Sequence, residues 1–238
     1  VHGIPVAAVE TGIARLDQAL TGGYHSGKLS LIYGEEKSGK TSLALQASIS
    51  AVRRGMKVVW IDCGGYLHPE RVFQVLSHGQ ADGTKMVLSV PHDFEEQMRT
   101  IETLPLHLPD ETGLVVFENF NVLHRVHGPL HVEKDRRMFK GLNFQLAYLR
   151  EVISLRRLPL IVTAQVHEAL AQRNERGETT LPAASRISMY WADVILRTRN
   201  WSVPTLKVAS LERGGRTNVA DIMFRITESG VSDAESSP

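Results

Sequence analysis

Short runs of β-branched and aliphatic residues alternate along this chain with segments whose apolar positions recur every three or four residues. The first run, residues 29–33, leads through a glycine-rich turn into a helical segment at 41–53, which Gly55 ends. KVVWID at 57–62 predicts a second strand, and Pro69 at the front of PERVFQVL suits the first turn of the next helix. KMVLSV at 85–90 and LVVFEN at 114–119 predict a third and a fourth strand, with a weaker helix at 93–103 between them. From about 136 to 157, Phe139, Leu142, Leu146, Leu149 and Ile153 form nearly a helical stripe, suited to packing on a sheet. PLIVTAQV at 159–166 predicts the fifth strand.

Strands alternating with helices imply an α/β fold with a central, mostly parallel sheet flanked by helices. The polar stretch 167–186 interrupts the pattern. Beyond it, strand-like runs at 192–197, 205–211 and 220–226 are separated only by polar loops, so the sheet is expected to continue with antiparallel or mixed strands. The whole chain, 1–238, is expected to be one domain with a core at about 11–233 and a frayed tail at 231–238.

Composition narrows the class. With 238 residues, 42% apolar and 22% charged, the chain can bury roughly 70% of its unfolded surface, which argues against intrinsic disorder. One cysteine, Cys63, excludes an intrachain disulfide and a multi-cysteine zinc cluster. No run of 18 apolar residues and no secretory leader is seen, so no membrane association and a cytoplasmic location are expected. A formal charge of +1 leaves any case for nucleic-acid binding to local patches.

The chemistry concentrates at Gly34-Glu35-Glu36-Lys37-Ser38-Gly39-Lys40-Thr41, a GxxxxGKT sequence between a strand and a helix. Its glycines let the backbone wrap phosphate oxygens, and the helix start offers amide donors and the positive end of the dipole. Lys40 is expected to reach the β and γ phosphates of ATP or ADP, and the Thr41 hydroxyl to ligate Mg²⁺. Glu35 and Glu36, unusual beside phosphates, are expected to point outward. An acid at the end of an apolar strand should hold the metal's water shell; Glu118 meets that need and Asp62 competes with it. Gln165, at the end of the fifth strand, has an amide suited to sensing the γ-phosphate or to a local backbone bond.

Between Arg125 and Arg157 eight basic residues face three acidic ones, a local charge of +5. Arg125, Lys134, Arg136 and Arg137 lie in its first, loop-like part, suited to a phosphate backbone. The stretch 167–186 adds Arg173, Arg176 and Arg186, offset by Glu168, Glu175 and Glu178, and is longer than an ordinary connection.

The order GIARLDQALTGG, GEEKSGKTSLALQ, VVWIDCGGYLHPERV, LVVFENF, VTAQV and FRITESGVSD resembles the ATPase core of the RecA/RadA superfamily, closest in look to archaeal RadA/RadB-type recombinase paralogs, over about 11–233. The resemblance implies a RecA-like P-loop NTPase core that binds ATP with Mg²⁺ and acts in homologous recombination and DNA repair. It implies that Glu118 is the Walker B acid, that Arg71 lies beside the adenine, and that Gln165 is the polar switch opening the second DNA loop. Segments 125–137 and 167–186 would be the first and second DNA loops, single-stranded DNA the expected ligand, and a recombinase, another protein or a second copy of the chain the expected partner.

Two departures shape the expected activity. Gly64 stands where the superfamily carries its water-activating glutamate, and LERGGRTNVAD replaces the proline-rich element that caps ATP across subunits in filament formers. A nonfilamentous paralog with weak or absent hydrolysis is the leading expectation. The alternatives are a regulatory or signalling ATPase working through protein partners and a DNA-stimulated ATPase using another base.

Overall fold

The computed structural model of the protein describes residues 8–126, 132–165, 172–173, 179–180, 183–216 and 219–234, with side chains outside 125–136 and 166–185. β1 (Ala8–Val9) and β2 (Tyr24–His25) pair antiparallel on either side of α1 (Ala14–Ala19). The repeating part follows: β3 (Leu29–Gly34), α2 (Lys40–Arg53), β4 (Lys57–Asp62), α3 (Pro69–His78), β5 (Met86–Ser89), α4 (Phe94–His107) and β6 (Thr112–Glu118). Next come α5 (Val122–Val126), α6 (Val132–Arg156), β7 (Leu160–Gln165), the two-residue strands β8 (Gln172–Arg173) and β9 (Thr179–Thr180), and α7 (Ala183–Trp191). The chain closes with β10 (Val194–Asn200), β11 (Leu206–Arg213), β12 (Ile222–Thr227) and β13 (Gly230–Asp233).

Nine strands join in one sheet in the order β13-β12-β11-β10-β3-β7-β6-β4-β5. From β10 to β5 neighbours run parallel, and from β10 to β13 they run antiparallel. The parallel strands β3, β4, β6 and β7 are apolar along their length because helices cover both faces. Alternation then divides them. Ile32, Val58, Trp60 and Val116 enter the cluster shared with α2, whereas Leu31, Val59, Ile61 and Phe117 enter the one shared with α4 and α6.

The expected α/β fold with an antiparallel C-terminal part is what the structure has, and α6 buries Leu142, Leu146, Leu149 and Ile153 as its stripe requires. Two boundaries differ. α4 continues past 103 through Pro105 to His107, since the missing proline amide falls in the last turn and buried Leu104 keeps that turn on the core. The tail is not frayed from 231: β13 pairs with β12 through Asp233, with Val231 and Ala234 buried, because the TESG turn folds an apolar residue back onto the core. The remaining tail, 235–238, lies outside the described residues.

Candidate functional site

β3 ends at Gly34, and its sheet neighbours bring Gln165 of β7 and Thr198 of β10 to the same level. A Cβ on Gly34 would stand 2.1 Å from the Thr198 carbonyl oxygen, so only glycine lets the loop start this close to β10. Gly39 has φ +94°, and Phe224 lies 2.9 Å from where its Cβ would be. The loop between them is therefore folded over a floor of β10 and β12. Ser38 hydroxyl bonds Thr198 Oγ1 at 2.7 Å and donates to the Glu35 carbonyl at 2.8 Å, which closes the loop on itself.

Lys40, buried at 6% exposure, donates from Nζ to the Glu35 carbonyl at 2.5 Å, so its ammonium is folded across the loop's own cradle. Thr41 Oγ1 donates to Glu118 Oε1 at 2.5 Å, and Thr163 Oγ1 donates to Glu118 Oε2 at 2.7 Å. The Asn119 amide donates to Thr163 Oγ1 at 2.8 Å, which ties the end of β6 to β7. Burial pushes the Glu118 carboxyl above the ordinary glutamate value, while the Thr41 and Thr163 bonds and the Lys40 charge pull it down. A carboxylate and a hydroxyl already in contact, beside a buried lysine at a helix start, are an oxygen donor set that fits Mg²⁺ and a polyphosphate.

Asp62 is equally buried but faces elsewhere. Its Oδ1 accepts from the amides of Gly64 and Gly65 and its Oδ2 from that of Leu67, at 2.8 to 3.1 Å. Its carboxylate thus folds the turn after β4. A Cβ on Gly64 would meet Tyr66 Cδ2 at 2.6 Å and Asn119 Nδ2 at 3.1 Å, so the phenol ring and the amide occupy the space a longer side chain would enter.

Of the other expected site residues, Glu35 accepts from Asn200 Nδ2, and Glu36 and Lys37 are exposed at the loop's outer rim, where Lys37 has φ +59°. Arg71 donates to the carbonyls of Thr227 and Glu228 and to Gln74 Oε1, so it clamps the turn between β12 and β13 onto α3. Arg137 on α6 and Arg186 on α7 are exposed, and these two helices pack together. The side chains of Arg125, Lys134, Arg136 and Arg173 lie outside the described residues, as does Arg176 entirely. Thr163, Thr198, Asn200 and Lys207 were not expected at the site. Thr163 had a signal, as the polar residue within the apolar LIVTAQ strand. The other three are brought in by strand register.

The chain matches the Rad51 family model over residues 4–234. It is 33% identical over 230 residues to the DNA repair and recombination protein RadB of Thermococcus gammatolerans, covering 94% of this chain and 98% of that protein. The protein of the same name from Thermococcus kodakarensis is 34% identical over 233 residues, covering 95% of this chain and 100% of that one. A crystal structure of the RadB recombinase superposes with a TM-score of 0.77 at 31% identity, covering 95% of this chain and 100% of that one.

Proposed function

The chain belongs to the Rad51 family as a RadB-type paralog, and on that footing we propose that it serves DNA repair and recombination as a holder of ATP or ADP with Mg²⁺. The observation that carries this is the contact of Thr41 with Glu118 at the start of α2, beside buried Lys40. Lys40 and the amides of the loop 34–41 hold the phosphates, Thr41 ligates the metal, and Glu118 orients its water shell. The metal supplies charge neutralisation on the phosphates when bound. Gln165, level with Gly34 on the adjacent strand, senses the terminal phosphate in this reading, and Arg71, at the rim formed by α3 and the β12–β13 turn, is the candidate for the base.

Turnover is slow in this reading. Both Asp62 oxygens are engaged by backbone amides, both Glu118 oxygens by hydroxyls, and position 64 has no side chain. Among the described residues at the ends of β4, β6 and β7, the polar side chains left to orient water are the amides of Asn119 and Gln165, which take up no proton at neutral pH. Single-stranded DNA meets the basic segment around 125–137 and the stretch 167–186, with a recombinase or a second copy of the chain as further partner.

The test is nucleotide binding and turnover by the purified chain, with and without single-stranded DNA, beside Lys40→Ala. Binding should be lost in the variant, since the buried ammonium has no substitute. Wild-type turnover should stay low whether or not DNA is added. Fast turnover that depends on Lys40 would reject the slow-holder reading, and nucleotide affinity unchanged in Lys40→Ala would reject the site itself.

A further inference from the structure

On the side of the phosphate loop away from Glu118, β10 and β11 carry a second polar network that reaches the loop's two acids. Asn200 Nδ2 donates to Glu35 Oε2 at 2.9 Å and to the Glu36 carbonyl at 3.1 Å. Asn200 Oδ1 accepts from the Lys207 ammonium at 2.8 Å. Asn200 and Lys207 are direct partners across the β10–β11 ladder, so register holds this amide between a cation and an anion. An amide so placed is polarised by both ends and passes the charge of one to the other.

Lys207 is 5% exposed, and a lysine is rarely buried that far without a compensating charge. Burial depresses its pKa, and the Glu35 carboxylate acts in the opposite direction. Its neighbour on β12 is Phe224, whose ring lies under Gly39 of the same loop. The antiparallel wing is therefore a platform beneath the phosphate loop, with the Lys207 ammonium set into it. A loop with two carboxylates that must receive a polyanion has an electrostatic difficulty, and this network addresses it.

We propose that Lys207 is a charge-compensating positioning residue of the nucleotide site: through Asn200 it offsets Glu35 and holds the acid-bearing half of the phosphate loop in a form that admits a nucleoside triphosphate. This rests on the nucleotide-binding function proposed above. Lys207 does not touch the phosphates; it acts by keeping Glu35 drawn toward β10 and its charge opposed. Without it, Glu35 faces the incoming phosphates as an unopposed like charge, and affinity drops by about tenfold.

The experiment is a thermodynamic cycle on the affinity of the full chain for ATP with Mg²⁺, using wild type, Lys207→Met, Glu35→Gln and the two combined, with Lys40→Ala as reference. Lys207→Met is expected to weaken binding about tenfold where Glu35 is present, and less than about twofold when made on top of Glu35→Gln. Equal losses in both backgrounds would show Lys207 to be strand scaffolding and overturn the inference, as would wild-type affinity in Lys207→Met. Asn200→Ala, made with and without Glu35→Gln, repeats the cycle if Lys207→Met unfolds below the assay temperature, and the same outcomes decide. If wild type binds no ATP, or Lys40→Ala binds it as well, the nucleotide reading fails visibly at the reference and takes this inference with it.

Discussion

Glu118 and Asp62 end adjacent strands, are both 1% exposed, and look alike as strand-end acids, yet they do different work. Asp62 answers three backbone amides, and Glu118 answers the hydroxyl of Thr41 at the end of the phosphate loop and that of Thr163 on β7. Asp62→Ala should therefore lower unfolding stability by about 3 kcal/mol, since partly buried amides lose their acceptor, while leaving the Mg²⁺ dependence of nucleotide affinity intact. Glu118→Ala should do the reverse, and urea melts beside Mg²⁺ titrations separate the two. Tyr33 offers a pH test. Burial raises its phenol above the ordinary value of 10.0, and the O–H it donates, shared between the two Glu212 carboxylate oxygens, raises it further together with that carboxylate's charge. A group whose pKa is higher in the folded state contributes stability that is complete below the unfolded value and lost as pH rises through the folded one. Wild type should lose stability above pH 10 faster than Tyr33→Phe, read as the difference between their melting temperatures; parallel pH profiles would contradict it. At this scale the phosphate loop was legible, because GxxxxGKT is a local pattern with a local cause. The choice between two strand-end acids was not, because it depends on which loop each carboxylate meets.

Among the elements, the C-terminal hairpin does more than end the sheet. Asp233 of β13 accepts from the amides of Ala14 and Arg15, the first two residues of α1, at 3.0 and 3.4 Å. Ile13, at the N-cap of α1, makes no side-chain cap bond, so this remote carboxylate takes the place of a local cap. Asp233→Ala should cost about 1 kcal/mol and raise amide exchange at the start of α1 ahead of the core strands. Unchanged protection there would show the cap to be idle. The helical and strand segments themselves were readable from periodicity, down to the buried stripe of α6. The pairing of β13 was not, because VSDAESSP is polar on average and its order comes from one buried valine and one carboxylate finding partners far along the chain.

For the whole molecule, the sheet order gathers the carboxyl ends of β3, β7, β6 and β4 on one side, with the antiparallel wing beside the loop, and along the chain the basic segments 125–137 and 167–186 follow β6 and β7. If DNA binds through backbone phosphates at those segments, its affinity should fall about tenfold or more when salt is raised fourfold, and charge reversal at Arg137 and Arg186 together should flatten that dependence. Binding absent at both salts would move the reading to a regulator with protein partners. Among the described residues no helix is long and apolar enough to cross a membrane. By itself the sequence determined the α/β alternation, the GxxxxGKT loop between a strand and a helix, the strand-end acids as a class, and the absence of a side chain at position 64. All of these follow from residues near one another in the chain, where periodicity, turn chemistry and dipoles act over a few bonds. Only the tertiary structure decided which acid joins Thr41, what fills the space beside Gly64, that Lys207 answers a phosphate-loop glutamate, and that Asp233 caps α1. Each of those is a choice of partner set by strand order and register, which bring together groups such as Asn200 and Glu35, 165 residues apart, that no local pattern connects.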